Sequence, residues 1–221
     1  MAKQKQITVI RGSLKNKRIA LPEPIHGHQN ATPQKIKEAL FSILDARGIV
    51  PEETIFCDLF AGSGQVGIEA LSIGYSFVHF CEWDVKRNAN VIHWLKNHYS
   101  KNNWKIWRMD AFLFLSRFST FLHKEEKLVK NLVFFADPPY TFRRNQKNVF
   151  EVFLESFRRV NFPAQKVIFM MQVPTKLKHF LPHDDVKQVE SNLTRRSEKI
   201  YPYGKNKLYY FTKESFDETE I

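Results

Sequence analysis

Cysteine is scarce in this chain, with two in 221 residues, and both lie inside apolar runs, IFCDLF and VHFCEW. Buried thiols account for such positions. A disulfide framework or a structural zinc needs more ligands, at recognisable spacing, than two cysteines and eight scattered histidines supply. Long apolar runs are missing as well: no window approaches the roughly 18 uninterrupted apolar residues of a membrane helix. MAKQKQITVI also lacks the apolar segment of a secretory signal. Internal repeats and low-complexity tracts are absent. These absences lead to the expectation of a cytoplasmic protein with no bound metal and no membrane partner. Acids, finally, are missing from the start of the chain. Six cations (Lys3, Lys5, Arg11, Lys15, Lys17, Arg18) precede the first of them, so the amino-terminal arm carries a field that phosphates would feel.

What is present is enough to build a core: 43% of the residues are apolar and 20 are Phe. That suits one compact domain, or a domain with a small appendage. The net charge of +11 suggests a polyanionic partner.

Residues 1–30 read as a basic β-hairpin arm and link, 31–213 as the main domain, and 214–221 as a solvated tail. In the arm, Ile7 to Arg11 and Lys17 to Leu21 are β-prone around turn material at Gly12-Ser13 and Lys15-Asn16. Thr32-Pro33 then opens a helix, with Thr as cap and Pro in the first helical position. Ile36, Leu40, Ile43 and Leu44 repeat along that helix, and Lys35 and Lys37 fall on its wet face. Beyond it, strand candidates (55–59, 77–81, 105–108, 132–136, 167–172) alternate with helical segments (65–73, 86–98, 112–121, 148–159). Such alternation predicts an α/β fold with a largely parallel sheet and helices on both faces. After Pro182 the rhythm changes: Val186 to Glu190 and Leu208 to Thr212 read as an antiparallel pair that closes the sheet.

CDLFAGSGQVG carries Gly62, Gly64 and Gly67 in the spacing G-x-G-x-x-G between a strand and a helix, where backbone N–H groups can approach an adenosine-bearing ligand. Glu82, about 20 residues on at the end of the next strand, suits ribose hydroxyls, but a dinucleotide and S-adenosyl-L-methionine share that ribose. Asp58 separates them. A carboxylate four residues before Gly62 gives a phosphate nothing, whereas it supports a ligand bearing an ammonium and a sulfonium. The same acid could instead cap the loop's own N–H groups. Asp110, ending the third strand, suits the adenine amine or, equally, a helix cap, with Ala111 and Phe112 flanking it.

Asp137-Pro138-Pro139-Tyr140, after the fourth strand, fits one chemical problem beyond a rigid turn. The lone pair of an exocyclic base amine is conjugated with its ring and attacks poorly. A carboxylate and the Pro138 carbonyl, held by restricted proline dihedrals, can accept its N–H groups and leave the lone pair toward a methyl donor. The ring of Tyr140 offers a face for a flipped-out base.

With IRGSLKNKRIALP, TPQKIKEALFSIL, DLFAGSGQVGIEALSIG, CEWD, ADPPY and Tyr203-Gly204, the chain resembles class I S-adenosylmethionine-dependent methyltransferases over nearly its whole length. More narrowly, it resembles the bacterial family that methylates the N2 amine of a guanine in 16S ribosomal RNA. The resemblance implies a Rossmann-like, seven-stranded, mostly parallel sheet with an antiparallel last strand, plus the small N-terminal β-hairpin. It implies a cofactor site at Asp58, Phe60, Ala61, Gly62, Ser63, Gly64, Glu82, Trp83, Asp110 and Ala111, and a catalytic site at Asp137, Pro138, Pro139 and Tyr140. Phosphate contacts are expected from Arg11, Lys15, Lys17, Arg18, Lys35, Lys37, Arg143 and Arg144, on ribosomal RNA or the small ribosomal subunit, by a monomer. One stretch departs from the pattern. The family has Arg-Pro-Thr followed by an acid and an Arg before its first helix, and here Asn30, Ala31, Thr32, Pro33, Gln34 and Lys35 stand instead. Other readings are a DNA adenine-N6 or cytosine-N4 amino-methyltransferase, a nucleotide-dependent oxidoreductase, and a non-catalytic RNA-binding protein.

Overall fold

A computed structural model describes residues 5–21, 32–125, 129–144, 147–179, 181 and 183–213. Lys3, most of the expected link (22–31) and the expected tail (214–221) lie outside the described residues. The chain divides into two compact units after Phe114.

The first unit opens with an antiparallel hairpin, β1 (Gln6–Thr8) and β2 (Arg18–Ala20), in which Ile7 pairs with Ile19. Both strands are shorter than expected because the backbone beyond β1 finds other partners. Ile10 and Arg11 donate their N–H groups to the carboxylate of Glu69 (2.9 and 2.6 Å), and Leu14 donates to the hydroxyl of Ser72 (2.8 Å). Helix α1 (Gln34–Ala46) buries Ile36, Leu40, Ile43 and Leu44 as its periodicity predicts. Thr32 does not cap it. The cap position is Pro33, with no side-chain cap bond. Lys37 is likewise not on a wet face: it is 2% exposed, with its ammonium 3.3 Å from Glu69 and 3.4 Å from the Thr8 carbonyl. The apolar residues of α1 cover more than one stripe of that helix, and the buried carboxylate opposite supplies the partner that makes a buried Lys tolerable.

Three parallel strands follow, β3 (Thr54–Asp58), β4 (Phe77–Cys81) and β5 (Trp104–Trp107), joined through α2 (Gln65–Ile73) and α3 (Val85–His98). Phe56 pairs with Val78 and Phe80 with Ile106, which brings the carboxyl ends of these strands to one edge. Residues Gln65 to Ser72 of α2 are all buried. Gly67 allows the helix to pack this closely, since a Cβ there would sit 2.2 Å from the Phe80 ring.

Helix α4 (Ala111–Lys124) starts in the first unit and leads into the second. There follow β6 (Val129–Ala136), a short ladder of β7 (Arg143–Arg144) and β8 (Lys147–Asn148), α5 (Val149–Arg159), β9 (Ala164–Pro174), α6 (His183–Arg196), β10 (Lys199–Tyr203) and β11 (Asn206–Thr212). β6 and β9 are parallel; β11 runs antiparallel to β9, and β10 antiparallel to β11. Helix α5 buries Val149, Phe150, Phe153, Leu154 and Phe157, and Asn148 caps it by accepting from the Glu151 N–H. The main sheet has seven strands in all, mostly parallel, with the last strands antiparallel.

The expected strand Val186 to Glu190 lies within α6. Val189 and Leu193, four residues apart, are fully buried, so the segment follows a helical period that its β-branched residues conceal. The strand antiparallel to β11 is β10 instead, joined to it by a turn with Gly204 at φ 58°. Among the described residues no helix is long and apolar enough to cross a membrane, and no group of His, Cys, Asp and Glu could hold a metal ion.

Candidate active site

The first unit gathers three acids at the carboxyl ends of its strands. Asp58, the last residue of β3, is 2% exposed and accepts the Gly67 N–H at 2.9 Å. Glu82 follows β4 and spans two segments: Oε2 accepts the Gly62 N–H and Oε1 the Asp84 N–H, each at 2.9 Å. Arg87, on the first turn of α3, stands 4.0 Å from Glu82 Oε2. Asp110, exposed, accepts from the Phe112 and Leu113 N–H groups (2.8 and 3.2 Å), so the carboxylate takes up the start of α4, where Ala111 is buried. The capping alternative thus holds at Asp58 and Asp110, and each acid also fixes the edge on which it stands.

Between β3 and α2 the loop is held from both sides. Ala61 donates to the Cys81 carbonyl (3.0 Å) and Gly64 to the Ala61 carbonyl (2.6 Å). Gly62 and Gly64 are left-handed, at φ 54° and 76°. Phe60 is half-buried, while the Trp83 side chain is 70% exposed. Ser63 Oγ in the loop and Asn88 Oδ1 on α3, whose amide nitrogen donates to the Glu82 carbonyl (2.8 Å), are buried acceptors with no hydrogen-bond partner among the described residues. Arg87 and Asn88 were not read from the sequence. Their one signal is position, in the first turn of a helix capped by Asp84, directly after CEWD. The expected buried thiols are buried: Cys57 and Cys81 are both free, and burial raises both thiols well above their ordinary pKa.

The second unit carries the double-proline corner after β6. Pro138 is buried, and Asp137, Pro139 and Tyr140 are half-buried. The Tyr140 hydroxyl donates to Asp137 Oδ1 and accepts from the amide of Gln172, both at 2.9 Å. Its ring stacks on Phe150 with centroids 6.1 Å apart. Burial first, and then the Asp137 carboxylate, hold the phenol far above its usual pKa, so it stays a donor at every working pH. Gln172, on β9, is the polar residue of this corner that sequence reading missed; it interrupts the apolar run VIFMMQV.

Of the expected phosphate contacts, Lys15, Lys17, Arg18 and Lys35 are exposed. Arg11 pairs with Asp45 at 2.7 Å, and Arg143 pairs with Asp185. Lys37 is buried, and the Arg144 side chain lies outside the described residues.

Comparison with known proteins places this architecture. A Bacillus subtilis protein named "Putative rRNA methyltransferase YlbH" is 33% identical over 114 residues, which is 49% of this chain and 54% of that protein; the match thus spans about half of each. The solved structure "Putative methyltransferase yhhF from Escherichia coli" superposes with a TM-score of 0.65 at 19% identity, over 94% of this chain and 98% of that one. An RNA methyltransferase from Salinibacter ruber in complex with S-adenosyl-L-homocysteine gives a TM-score of 0.50 at 13% identity, over 86% and 92%. These likenesses establish a Rossmann-like fold shared with class I methyltransferases. The family model described as "Conserved hypothetical protein 95" matches residues 7–193, and the chain belongs to that family.

Proposed function

We propose that this protein is an S-adenosylmethionine-dependent methyltransferase that modifies the exocyclic N2 amine of a guanine in 16S ribosomal RNA, free or within the small subunit. The observation that carries the cofactor assignment is where the glycine loop spends its N–H groups. A dinucleotide site needs them for pyrophosphate. Here the Gly62 N–H is taken by Glu82 and the Gly67 N–H by Asp58, so a phosphate would meet two carboxylates and engaged donors. A cationic ligand without phosphate suits the same place. Ser63 Oγ and Asn88 Oδ1 are buried acceptors ready for its hydroxyl or ammonium groups, and the exposed Trp83 ring offers its face to the adenine.

Bound S-adenosylmethionine supplies an electrophilic methyl on a sulfonium. The residues of the chain do the rest. Asp58, Glu82 and Asp110 hold the donor by its polar groups; Asp137 and the Pro138 carbonyl accept the amine N–H groups and aim its lone pair. As the nitrogen becomes cationic, Asp137 stabilises the charge and takes the proton that leaves. Exposed Lys15, Lys17, Arg18 and Lys35 supply phosphate contacts, and Arg11 and Arg143 can exchange their carboxylate partners for phosphates. YlbH is named a "Putative rRNA methyltransferase" and the Salinibacter protein an RNA methyltransferase, which supports RNA as the substrate.

The test is to incubate the protein with labelled S-adenosylmethionine and, separately, unmethylated 16S RNA, 30S particles and DNA, and then to map the modified base. Label at a guanine N2 is expected. Label confined to DNA would move the assignment to an adenine-N6 or cytosine-N4 enzyme, and RNA binding without label would leave a non-catalytic protein. Asp137→Ala should abolish transfer and keep cofactor binding.

A further inference from the structure

The Tyr140 hydroxyl has one proton, and the chemistry of Asp137 and Gln172, which both bond to it, decides its direction. Asp137 Oδ1 at 2.9 Å is a carboxylate oxygen, which can only accept, so the proton is directed there. The phenol oxygen is then an acceptor toward Gln172, whose Nε2 lies 2.9 Å away. The Gln172 amide is therefore fixed with nitrogen toward Tyr140 and oxygen away from it. That oxygen is buried, in a side chain only 3% exposed, and has no hydrogen-bond partner among the described residues. The sheet sets this order: Ala136 pairs with Met171, so Gln172 occupies the next position on β9 as Asp137 does after β6.

The geometry points to Gln172 as a positioning residue of the amine site: its amide satisfies the Tyr140 oxygen and holds the hydroxyl in place while the Tyr140 proton goes to Asp137, and so keeps that carboxylate in the orientation in which it accepts the target amine. This rests on the proposed role of Asp137. The Tyr140 ring is held against Phe150, so the hydroxyl is a fixed point and the Asp137 carboxylate cannot rotate without losing its bond. Without the amide donor, the phenol oxygen loses the bond that Gln172 supplies, and the chain of bonds from Gln172 through Tyr140 to Asp137 loses its single polarity.

Gln172→Leu keeps the bulk and removes the donor. In single-turnover transfer from labelled S-adenosylmethionine to unmethylated 16S RNA, it should lower the rate about 10- to 100-fold, the range that loss of alignment costs. KM for RNA and Kd for the cofactor should stay within about threefold. Gln172→Glu separates positioning from packing. Its carboxyl donates to Tyr140 only while protonated, so activity should fall as pH rises through that carboxyl's pKa, a limb that the parent protein lacks. Gln172→Leu combined with Tyr140→Phe should cost no more than Tyr140→Phe alone. A Gln172→Leu variant with the parent rate, a Gln172→Glu profile parallel to the parent's, or additive losses in the double variant overturns the inference while the methyl-transfer reading stands. A parent protein that labels no nucleic acid overturns both.

Discussion

The buried ammonium of Lys37 lies 3.3 Å from the carboxylate of Glu69, and the same carboxylate accepts the N–H groups of Ile10 and Arg11. One acid on α2 thus pins both the first helix and the basic arm. Glu69→Leu strands a buried charge and two backbone donors together, and should destabilise the protein by about 3–5 kcal/mol. Lys37→Met, which leaves Glu69 with its backbone partners, should cost less. Denaturant titration ranks the two variants. Limited trypsinolysis should cut the Glu69→Leu protein in the arm under conditions where the parent arm resists, and equal resistance would contradict the anchoring role.

A second buried group gives the fold a pH signature. His79 is 3% exposed, and Trp107 Nε1 donates to its Nδ1 at 2.9 Å; an indole only donates, so the imidazole is neutral with its proton on Nε2. Burial, and then Lys105, lower its pKa to about 3. Between about pH 6.5 and that value the unfolded chain binds a proton that the folded chain refuses, so stability should fall as pH drops through this window. At neutral pH the effect is nearly absent, and across the full window it amounts to about 5 kcal/mol. Urea unfolding at pH 7 and pH 4.5 measures it, and His79→Phe should flatten the difference contributed by this site.

Much of this molecule was legible because its strongest signals are local. The glycine spacing after β3, the acids at the carboxyl ends of β3, β4 and β5, and the Phe-rich face of α5 all follow from neighbours within a few residues, and the structure keeps them where the pattern puts them. What escaped depends on partners distant in sequence. Lys37 reads as a surface cation until Glu69, 32 residues away, is brought to it. Gln172 is one polar residue in a buried strand until Tyr140 supplies its bond, again 32 residues away. Val186 to Glu190 was misread for a different reason: two β-branched valines three apart imitate a strand, and only the burial of Val189 with Leu193 shows the helical period.

Glu82 offers a direct test of how the loop is held. Its two oxygens each take a backbone N–H, from Gly62 and Asp84. Glu82→Gln replaces one acceptor with a donor, so one of those N–H groups must face another donor. Loss of a charge-assisted bond of this kind is worth about 1.5–3 kcal/mol, and S-adenosylmethionine affinity should drop at least about tenfold by calorimetry. Asn88→Ala removes a buried acceptor together with the bond to the Glu82 carbonyl, and should weaken binding of the same ligand. Unchanged affinity in both variants would remove this edge from the cofactor site.

The charge on the arm should be visible in the salt dependence of RNA binding. Each cation that neutralises a single-strand phosphate adds about 0.7 to the slope of log K against log salt. Lys15, Lys17, Arg18 and Lys35 are exposed. Replacing all four with Gln should therefore lower the slope by nearly 3 if each meets a phosphate. Arg11→Gln should change it by less, because forming its phosphate contact first breaks the 2.7 Å pair with Asp45. Lys37→Met should leave the slope where it was, since its buried ammonium releases no counterion on binding. Filter binding to unmethylated 16S RNA between about 50 and 200 mM salt spans the range in which such contacts change affinity most. If the slope is the same in the fourfold variant and the parent, RNA does not lie along the hairpin or the start of α1, and the phosphate contacts belong elsewhere on the surface.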